Sequence, residues 1–357
     1  DLHSFPTRRS SDLLKQHDPS SEILFVGAQG KMEMQRVPAA GYPIVGLSIS
    51  GIQRKRLFQN LTVPWRLAAS LWKASRIIKH FQPDVVVGTG GYASAPILYM
   101  ATQRGIPTLI QEQNASAGLT NRLLAQRVAR VCVAYEGMDQ YFPADKLVLT
   151  GNPVREDITN LAEQRQAAYA YFGLAPDKRC LLVLGGSQGA QTINESILQA
   201  LPQLMAAGMQ IIWPTGYAYF ESIRAQLSQW PYQGIKLWPF IDKIALAYAA
   251  ATIVVSRAGA LAIAELCVAQ KPTIFVPSPH VTADHQTKNV WPLADQQAAL
   301  LIEDQAARQK LGPALIQLLH NEAQQKSLVQ NMQLWAKPYA TADIVSLIHQ
   351  LTHHSDA

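Results

Sequence analysis

From Glu22 onward the chain alternates between two hydrophobic periods. Short apolar runs rich in Val, Ile and Leu recur as EILFVG (22–27), YPIVGLSI (42–49), DVVVGTGG (84–91), PTLIQE (107–112), ARVCVAY (129–135) and KLVLTG (146–151). A second series follows: CLLVLGG (180–186), MQIIWPTG (209–216), ATIVVSRAG (251–259), PTIFVPSP (272–279) and AALLIED (298–304). The stretches between them return apolar residues every three or four positions, which predicts helices. Because the strand runs are continuously apolar rather than alternating, they are expected to be buried on both faces, as in a parallel sheet covered by helices. The pattern therefore predicts two Rossmann-like α/β domains. Gly151-Asn152-Pro153 is a turn signal, and the residue before a proline disfavours helix, so the boundary is placed there. The expected divisions are 14–153, 154–336 and a last helix at 337–357 that packs back on the N-terminal domain. DLHSFPTRRSSDL, residues 1–13, shows no apolar periodicity and is expected to be non-native sequence.

A length of 357 residues suits two domains, and 48% hydrophobic with 16% charged residues describes a globular chain. Three widely spaced cysteines, Cys132, Cys180 and Cys267, form no C-x-x-C pair, which argues against a zinc site or a disulfide framework. No apolar run reaches the roughly 18 residues a spanning helix needs, and no signal peptide is apparent, so a cytoplasmic protein is expected. The net charge of +6 is uneven: 17 Lys and Arg face 10 Asp and Glu up to Thr150, against 14 and 15 after it. Arg54, Lys55, Arg56, Arg66, Lys73, Arg76 and Lys79 occur with no acidic residue among them, interleaved with Phe58, Trp65 and Trp72. Such a basic amphipathic segment suits an anionic membrane surface; the plain alternative is a surface helix with one core face. Nucleic acid is disfavoured because no recognition motif accompanies the charge.

The chemistry-bearing stretches follow strands. LLVLGGSQGA, 181–190, runs a strand into a glycine turn and then an amphipathic helix. Glycines let the backbone approach closely, and the free N–H groups of a helix start favour a phosphate, although a ligand-free tight turn is the alternative. VVVGTGGYASAP, 85–96, repeats this grammar in the first half. SRAGALAIAEL, 256–266, places Glu265 where a carboxylate could accept both hydroxyls of a ribose, the alternative being a solvated helix face. QEQNASAG, 111–118, offers Glu112 as a candidate base and Asn114 as a hydroxyl-orienting group, or simply a polar loop capping a helix. In DHQTKN, 284–289, hydrogen bonding to a sugar is expected, and a metal is not, because no histidine and carboxylate set has ligand spacing. The absence of G-x-S-x-G, H-E-x-x-H and G-x-x-x-x-G-K-[ST] removes serine hydrolase, zincin and P-loop readings.

Read together, GTGGY at 88–92, QEQNASAG at 111–118, GNPVR at 151–155, GGSQGA at 185–190 and SRAGALAIAEL at 256–266 closely resemble the MurG family. These are the bacterial peptidoglycan enzymes that convert lipid I to lipid II. The resemblance implies a GT-B fold, two Rossmann-like domains with parallel sheets facing a cleft. It also implies an inverting transfer of N-acetylglucosamine from UDP-GlcNAc to undecaprenyl-pyrophosphoryl-MurNAc-pentapeptide, with no cofactor and no metal. Carried over by motif, Ser187, Gln188 and Gly189 hold the diphosphate, Arg155 lies near the donor, Ile241 meets the uracil and Glu265 the ribose. Ala260 and Leu261 line the same pocket, and Gln286 reaches the sugar. Gly90, Gly91 and Tyr92 would meet the acceptor pyrophosphate, with Glu112 and Asn114 as the catalytic candidates. Arg54, Lys55, Arg56, Phe58 and Trp65 would face anionic inner-membrane lipids, placing the protein peripherally on the cytoplasmic face, with cell-wall synthesis and division proteins as partners. The family's first strand and its histidine-bearing glycine loop have no counterpart before Leu14, so weak activity is expected. Alternatives are another GT-B enzyme of UDP-sugars, such as a 2-epimerase or a diacylglycerol glycosyltransferase, or a non-catalytic UDP-sugar-binding scaffold.

Overall fold

The computed structural model describes residues 6–49, 63–228 and 234–353. In chain order the regular elements are α1 (Pro6–His17), β1 (Phe25–Ala28), α2 (Glu33–Ala39), β2 (Ile44–Leu47), α3 (Val63–Phe81), β3 (Val86–Gly88), α4 (Ser94–Gln103), β4 (Thr108–Glu112), α5 (Leu119–Leu124), β5 (Arg130–Val133) and β6 (Leu147–Leu149). They continue as α6 (Leu161–Phe172), β7 (Cys180–Leu184), α7 (Gln191–Ala206), β8 (Gln210–Pro214), α8 (Tyr217–Leu227), β9 (Ile235–Trp238), α9 (Ile244–Ala250), β10 (Ile253–Ser256) and α10 (Ala260–Ala269). The chain ends with β11 (Thr273–Phe275), α11 (His285–Asp295), β12 (Leu300–Leu301), α12 (Asp304–His320), α13 (Glu322–Trp335) and α14 (Ala340–His353). Two compact units result. One runs from Val154 to Pro338; the other comprises the residues before Val154 together with the chain from Tyr339 onward.

The Val154–Pro338 unit is built on a six-stranded sheet in the order β12-β11-β10-β7-β8-β9, with every neighbouring pair parallel. Its central strands are covered on both faces, which is why CLLVL and IVVS carry almost no polar residue. Leu181, Val183, Ile193, Ile197, Trp213 and Val255 form its core with Leu311 and Leu315 of α12. The edge strand β9 has no counterpart among the sequence-predicted strands. Its four residues are all only partly buried and include Lys236, so it lacks the apolar run that marks the interior strands.

In the other unit, β1 pairs with β2 and a separate four-stranded sheet runs β3-β4-β5-β6, all parallel. Among the described residues no strand pairs with the second edge of β1 or of β3. On that edge of β1 the Ala28 N–H donates instead to the Glu33 carboxylate at 3.1 Å. Val26 of β1 and Val86 of β3 nevertheless pack against one cluster of Leu47, Ala74 and Ile97, so α3 and α4 span the division. Ile344 and Ile348 of α14 pack on Leu109 of β4 and Cys132 of β5, joined by Leu14 of α1.

The start of the chain differs from its featureless hydrophobic pattern, because Pro6–His17 is helical. Polar contacts hold it: Asp12 accepts from Tyr42 Oη at 2.7 Å and from Arg8 at 3.2 Å, and the Arg9 guanidinium donates to the Pro153 carbonyl. Apolar periodicity cannot reveal a helix fastened in this way.

All three cysteines are buried, and loss of hydration pushes each thiol up to about 12. Because the thiolate is the nucleophile, none should react with a disulfide reagent at pH 8 while the chain is folded. Titration with such a reagent should release no thiol equivalents from the native protein and three after denaturation.

Candidate active site

In the Val154–Pro338 unit Ser187, Gln188 and Gly189 follow β7, Ala260, Leu261 and Glu265 follow β10 and Gln286 follows β11, at the carboxyl ends where open α/β sheets take ligands, while Arg155 precedes α6 and Ile241 follows β9. The turn after β7 is formed by backbone approaching backbone. Gly186 and Gly189 have φ of 81° and 78°. A Cβ on Gly189 would stand 2.0 Å from the Thr215 carbonyl oxygen, one on Gly185 2.5 Å from Ala190 N, and one on Gly216 2.4 Å from Gln188 O. Glycine is thus required by contact as well as by conformation. Ser187 and Gln188 are left exposed at the tip of the turn. The 16-residue α7 begins next with Ala190 as N-cap and no side-chain cap, so its first-turn N–H groups and dipole are open to an anion.

Asn194, which the sequence reading missed, locks this turn in place. Its Nδ2 donates to Thr215 O at 3.0 Å and its Oδ1 accepts from Trp213 Nε1 at 3.0 Å, tying the first turn of α7 to the end of β8. Arg257 was also missed, although it lies inside SRAG. It donates to Val276 O at 3.0 Å and Pro277 O at 3.1 Å and pairs with Asp304, which accepts from Thr192 of α7 at 3.0 Å. Neither carries a sequence signal of its own, because the carbonyls each reaches belong to other elements.

Glu265 is buried in α10, and it is no solvated surface carboxylate. Arg155 Nε stands 3.4 Å from Oε1, and Tyr248 Oη donates to Oε2 at 3.2 Å. Two candidates more than a hundred residues apart, Arg155 and Glu265, are thereby joined. A guanidinium neutralised by a carboxylate adds little positive potential of its own, and the pair fixes the position of the Glu265 carboxylate. Ala260 and Leu261 form the first turn of the same helix and are half-buried, while Ile241 is buried in the loop after β9. Gln286 accepts from Ser278 N at 2.8 Å through Oε1 and so fixes the loop after β11, with its amide N–H groups on the other side. Ala283 and Asp284, at φ of 55° and 53°, form a left-handed entry to α11 immediately before it.

In the other unit Gly90 and Gly91 have φ of 87° and 79°, Ser94 Oγ donates to Gly90 O, and Tyr92 is exposed. Glu112, the candidate base, is surrounded by donors. Its Oε1 accepts from Asn114 N at 3.1 Å and Asn114 Nδ2 at 3.3 Å, and its Oε2 from Gly118 N at 2.9 Å and Asn121 Nδ2 at 2.9 Å. Four donors share the four lone-pair positions of the carboxylate, so taking a substrate proton would require one of them to give way. Glu112 orders the 113–121 loop, and Asn114 belongs to that network. A Cβ on Gly90 would lie 3.5 Å from Asn121 Nδ2, so Asn121 links the loop to the glycine turn. Trp65 is exposed on α3, and Arg76 stacks over the exposed Trp72 at 4.8 Å; Arg54, Lys55, Arg56 and Phe58 lie outside the described residues. Among the described residues no three His, Cys, Asp or Glu side chains are grouped to hold a metal ion.

The two halves match the Glycosyltransferase family 28 N-terminal domain over residues 5–133 and its C-terminal domain over 180–344, so the class is a two-domain glycosyltransferase. A relative from Amoebophilus asiaticus, named as a UDP-N-acetylglucosamine–N-acetylmuramyl-(pentapeptide) pyrophosphoryl-undecaprenol N-acetylglucosamine transferase, is 52% identical over 98% of this chain and 96% of its own. The crystal structure of Acinetobacter baumannii MurG superposes with a TM-score of 0.79 at 29% identity, covering 98% of this chain and 96% of that one. A UDP-GlcNAc 2-epimerase from Neisseria meningitidis, at 14% identity with a TM-score of 0.65 over 97% and 96%, shares the fold. The chain belongs to the MurG family, and its two Rossmann-like units are those of a GT-B glycosyltransferase.

The two kinds of glycine constraint separate experimentally. Gly189→Ala meets a backbone carbonyl at 2.0 Å as well as a positive φ, whereas Gly91→Ala, at φ 79°, meets nothing within 4 Å. Gly91→Ala should cost about 1–2 kcal/mol, the conformational part alone. Gly189→Ala should cost at least about 3 kcal/mol, because backbone must also move. Urea melts of both variants check the difference.

Proposed function

We propose that this chain transfers N-acetylglucosamine from UDP-GlcNAc to the C4 hydroxyl of the muramoyl sugar of lipid I, with inversion at the anomeric carbon. The observation that carries the reading is the glycine turn at Gly185–Ala190 opening onto the uncapped start of α7. In the reaction the acceptor oxygen forms the new bond to C1 as the bond from C1 to the UDP oxygen breaks, and the hydroxyl proton passes to solvent. Negative charge grows on the departing diphosphate. The N–H groups of the turn, with Ser187 and Gln188, meet that charge without reorganising during the step. Glu265, oriented by Arg155 and Tyr248, receives the ribose hydroxyls, while Ile241 with Ala260 and Leu261 frames the base and Gln286 presents its amide N–H groups to the sugar. The side chains near the turn thus suit diphosphate stabilisation by backbone dipoles.

Gly90, Gly91 and Tyr92 form the acceptor-side counterpart, supported by the Glu112 and Asn121 network beneath them. The exposed Trp65 and Trp72 with the basic residues around them bring the protein to an anionic lipid surface at the cytoplasmic face, where a lipid-linked acceptor is met. No described helix is long and apolar enough to cross a membrane.

With radiolabelled UDP-GlcNAc and a lipid I analogue, the chain should form a lipid-linked disaccharide. Release of free sugar in the absence of acceptor would instead identify an epimerase-type activity, and UDP binding without either product a scaffold. Charge reversal at Arg54, Lys55 and Arg56 should weaken binding to phosphatidylglycerol- or cardiolipin-rich vesicles by about a hundredfold or more, at about 1 kcal/mol per cation removed and more on reversal; unchanged sedimentation would refute the membrane-facing assignment.

A further inference from the structure

The amino ends of the C-terminal sheet carry a feature that donor binding does not use. A cavity of about 410 Å³ opens there, lined by Ala251 and Thr252 ahead of β10, Lys271 ahead of β11, Arg165 of α6, and Gln325 and Lys326 of α13. Its volume falls within the range of small-molecule sites, about 300–1,000 Å³. The three charged residues in its lining are all cations, with no carboxylate among them. Lys271 is the most enclosed. Its ammonium donates one hydrogen bond, to the Ala251 carbonyl at 3.0 Å. Burial first, and then the charge of Arg165, push Lys271 down to about 8, and no acidic group among the described residues opposes them. The one opposing influence is the Cys180 thiol, itself held protonated by burial.

A lysine whose sole task was to pin the Ala251 carbonyl would need neither Arg165 nor Lys326 beside it. Convergence of three cations on one concavity without a counter-charge is unfavourable when empty and becomes favourable when an anion enters. The Thr252 hydroxyl accepts from Cys180 N and keeps its own proton to donate, whereas Gln325 Nε2 is engaged by the Leu318 and Leu319 carbonyls; Arg165 and Lys326 are exposed, so the mouth is open to solvent. β10 is four residues long, so this cavity lies about 13 Å of strand away from the donor end of the same sheet.

We propose that this cavity binds a small soluble phosphate-bearing anion of diphosphate size, at a site separate from the donor turn. Inorganic pyrophosphate is the probe. It is titrated by calorimetry into the intact chain already saturated with UDP, so that the glycine turn after β7 contributes no heat. Saturable single-site binding is expected, weakened about five- to tenfold in Arg165→Gln and again in Lys326→Gln, as loss of a charge-assisted contact implies. Both residues are exposed, so unchanged melting temperatures separate lost binding from lost folding. Lys271→Met should abolish the signal. Absence of saturable heat, or pyrophosphate affinity that Arg165→Gln and Lys326→Gln leave unchanged, would overturn the proposal. Dependence on Arg165 is read independently of whether UDP-GlcNAc is the donor, so failure of one assignment is distinguishable from failure of the other.

Discussion

The contact on which the donor half depends is the approach of the Gly189 backbone to the Thr215 carbonyl. At this spacing no side chain can intervene, so the turn after β7 and the turn after β8 lie directly against one another. Asn194 then bonds to the same carbonyl and holds the first turn of α7 against the end of β8. The consequence is electrostatic. Peptide N–H groups and a helix start are left at the surface of the sheet with Ser187 and Gln188 alone in front of them, which is the arrangement an anionic leaving group needs. On α10, which follows the neighbouring strand β10, the Glu265 carboxylate is held by Arg155 and Tyr248.

The predicted strands that the structure contains were legible because both faces of each sheet are covered, which favours apolar runs such as CLLVL and IVVS. Where that condition lapses, the pattern falls silent. The edge strand β9 carries a lysine and partial burial throughout, and α1 is fastened by Asp12, Tyr42 and Arg9 rather than by an apolar stripe. Glycine turns were readable as turns, yet which glycine is sterically indispensable was not, because Thr215 and Gly216 approach from a different strand.

Site residues show the same limit. Glu265 could be singled out from its place in α10, but its partner Arg155 lies far away in sequence, and only the fold reveals that the two charges meet. Glu112 looked available for proton transfer because its donors, Asn114, Gly118 and Asn121, are backbone and amide groups that carry no charge signature. Asn194 and Arg257 were passed over for the opposite reason: each is a polar residue whose importance comes from the carbonyls it reaches in neighbouring strands. Local chemistry is legible in a sequence, whereas convergence across strands is a property of the sheet.

The central claim is that backbone dipoles and Glu265 together bind a uridine diphosphate. Calorimetric titration of UDP into the intact chain, with and without a chelator of divalent cations, tests it most directly. Saturable one-to-one binding that the chelator leaves unchanged and that Glu265→Gln weakens about tenfold is predicted, as loss of a charged acceptor for the ribose hydroxyls requires. Binding that disappears with the chelator, or that Glu265→Gln does not alter, would contradict it.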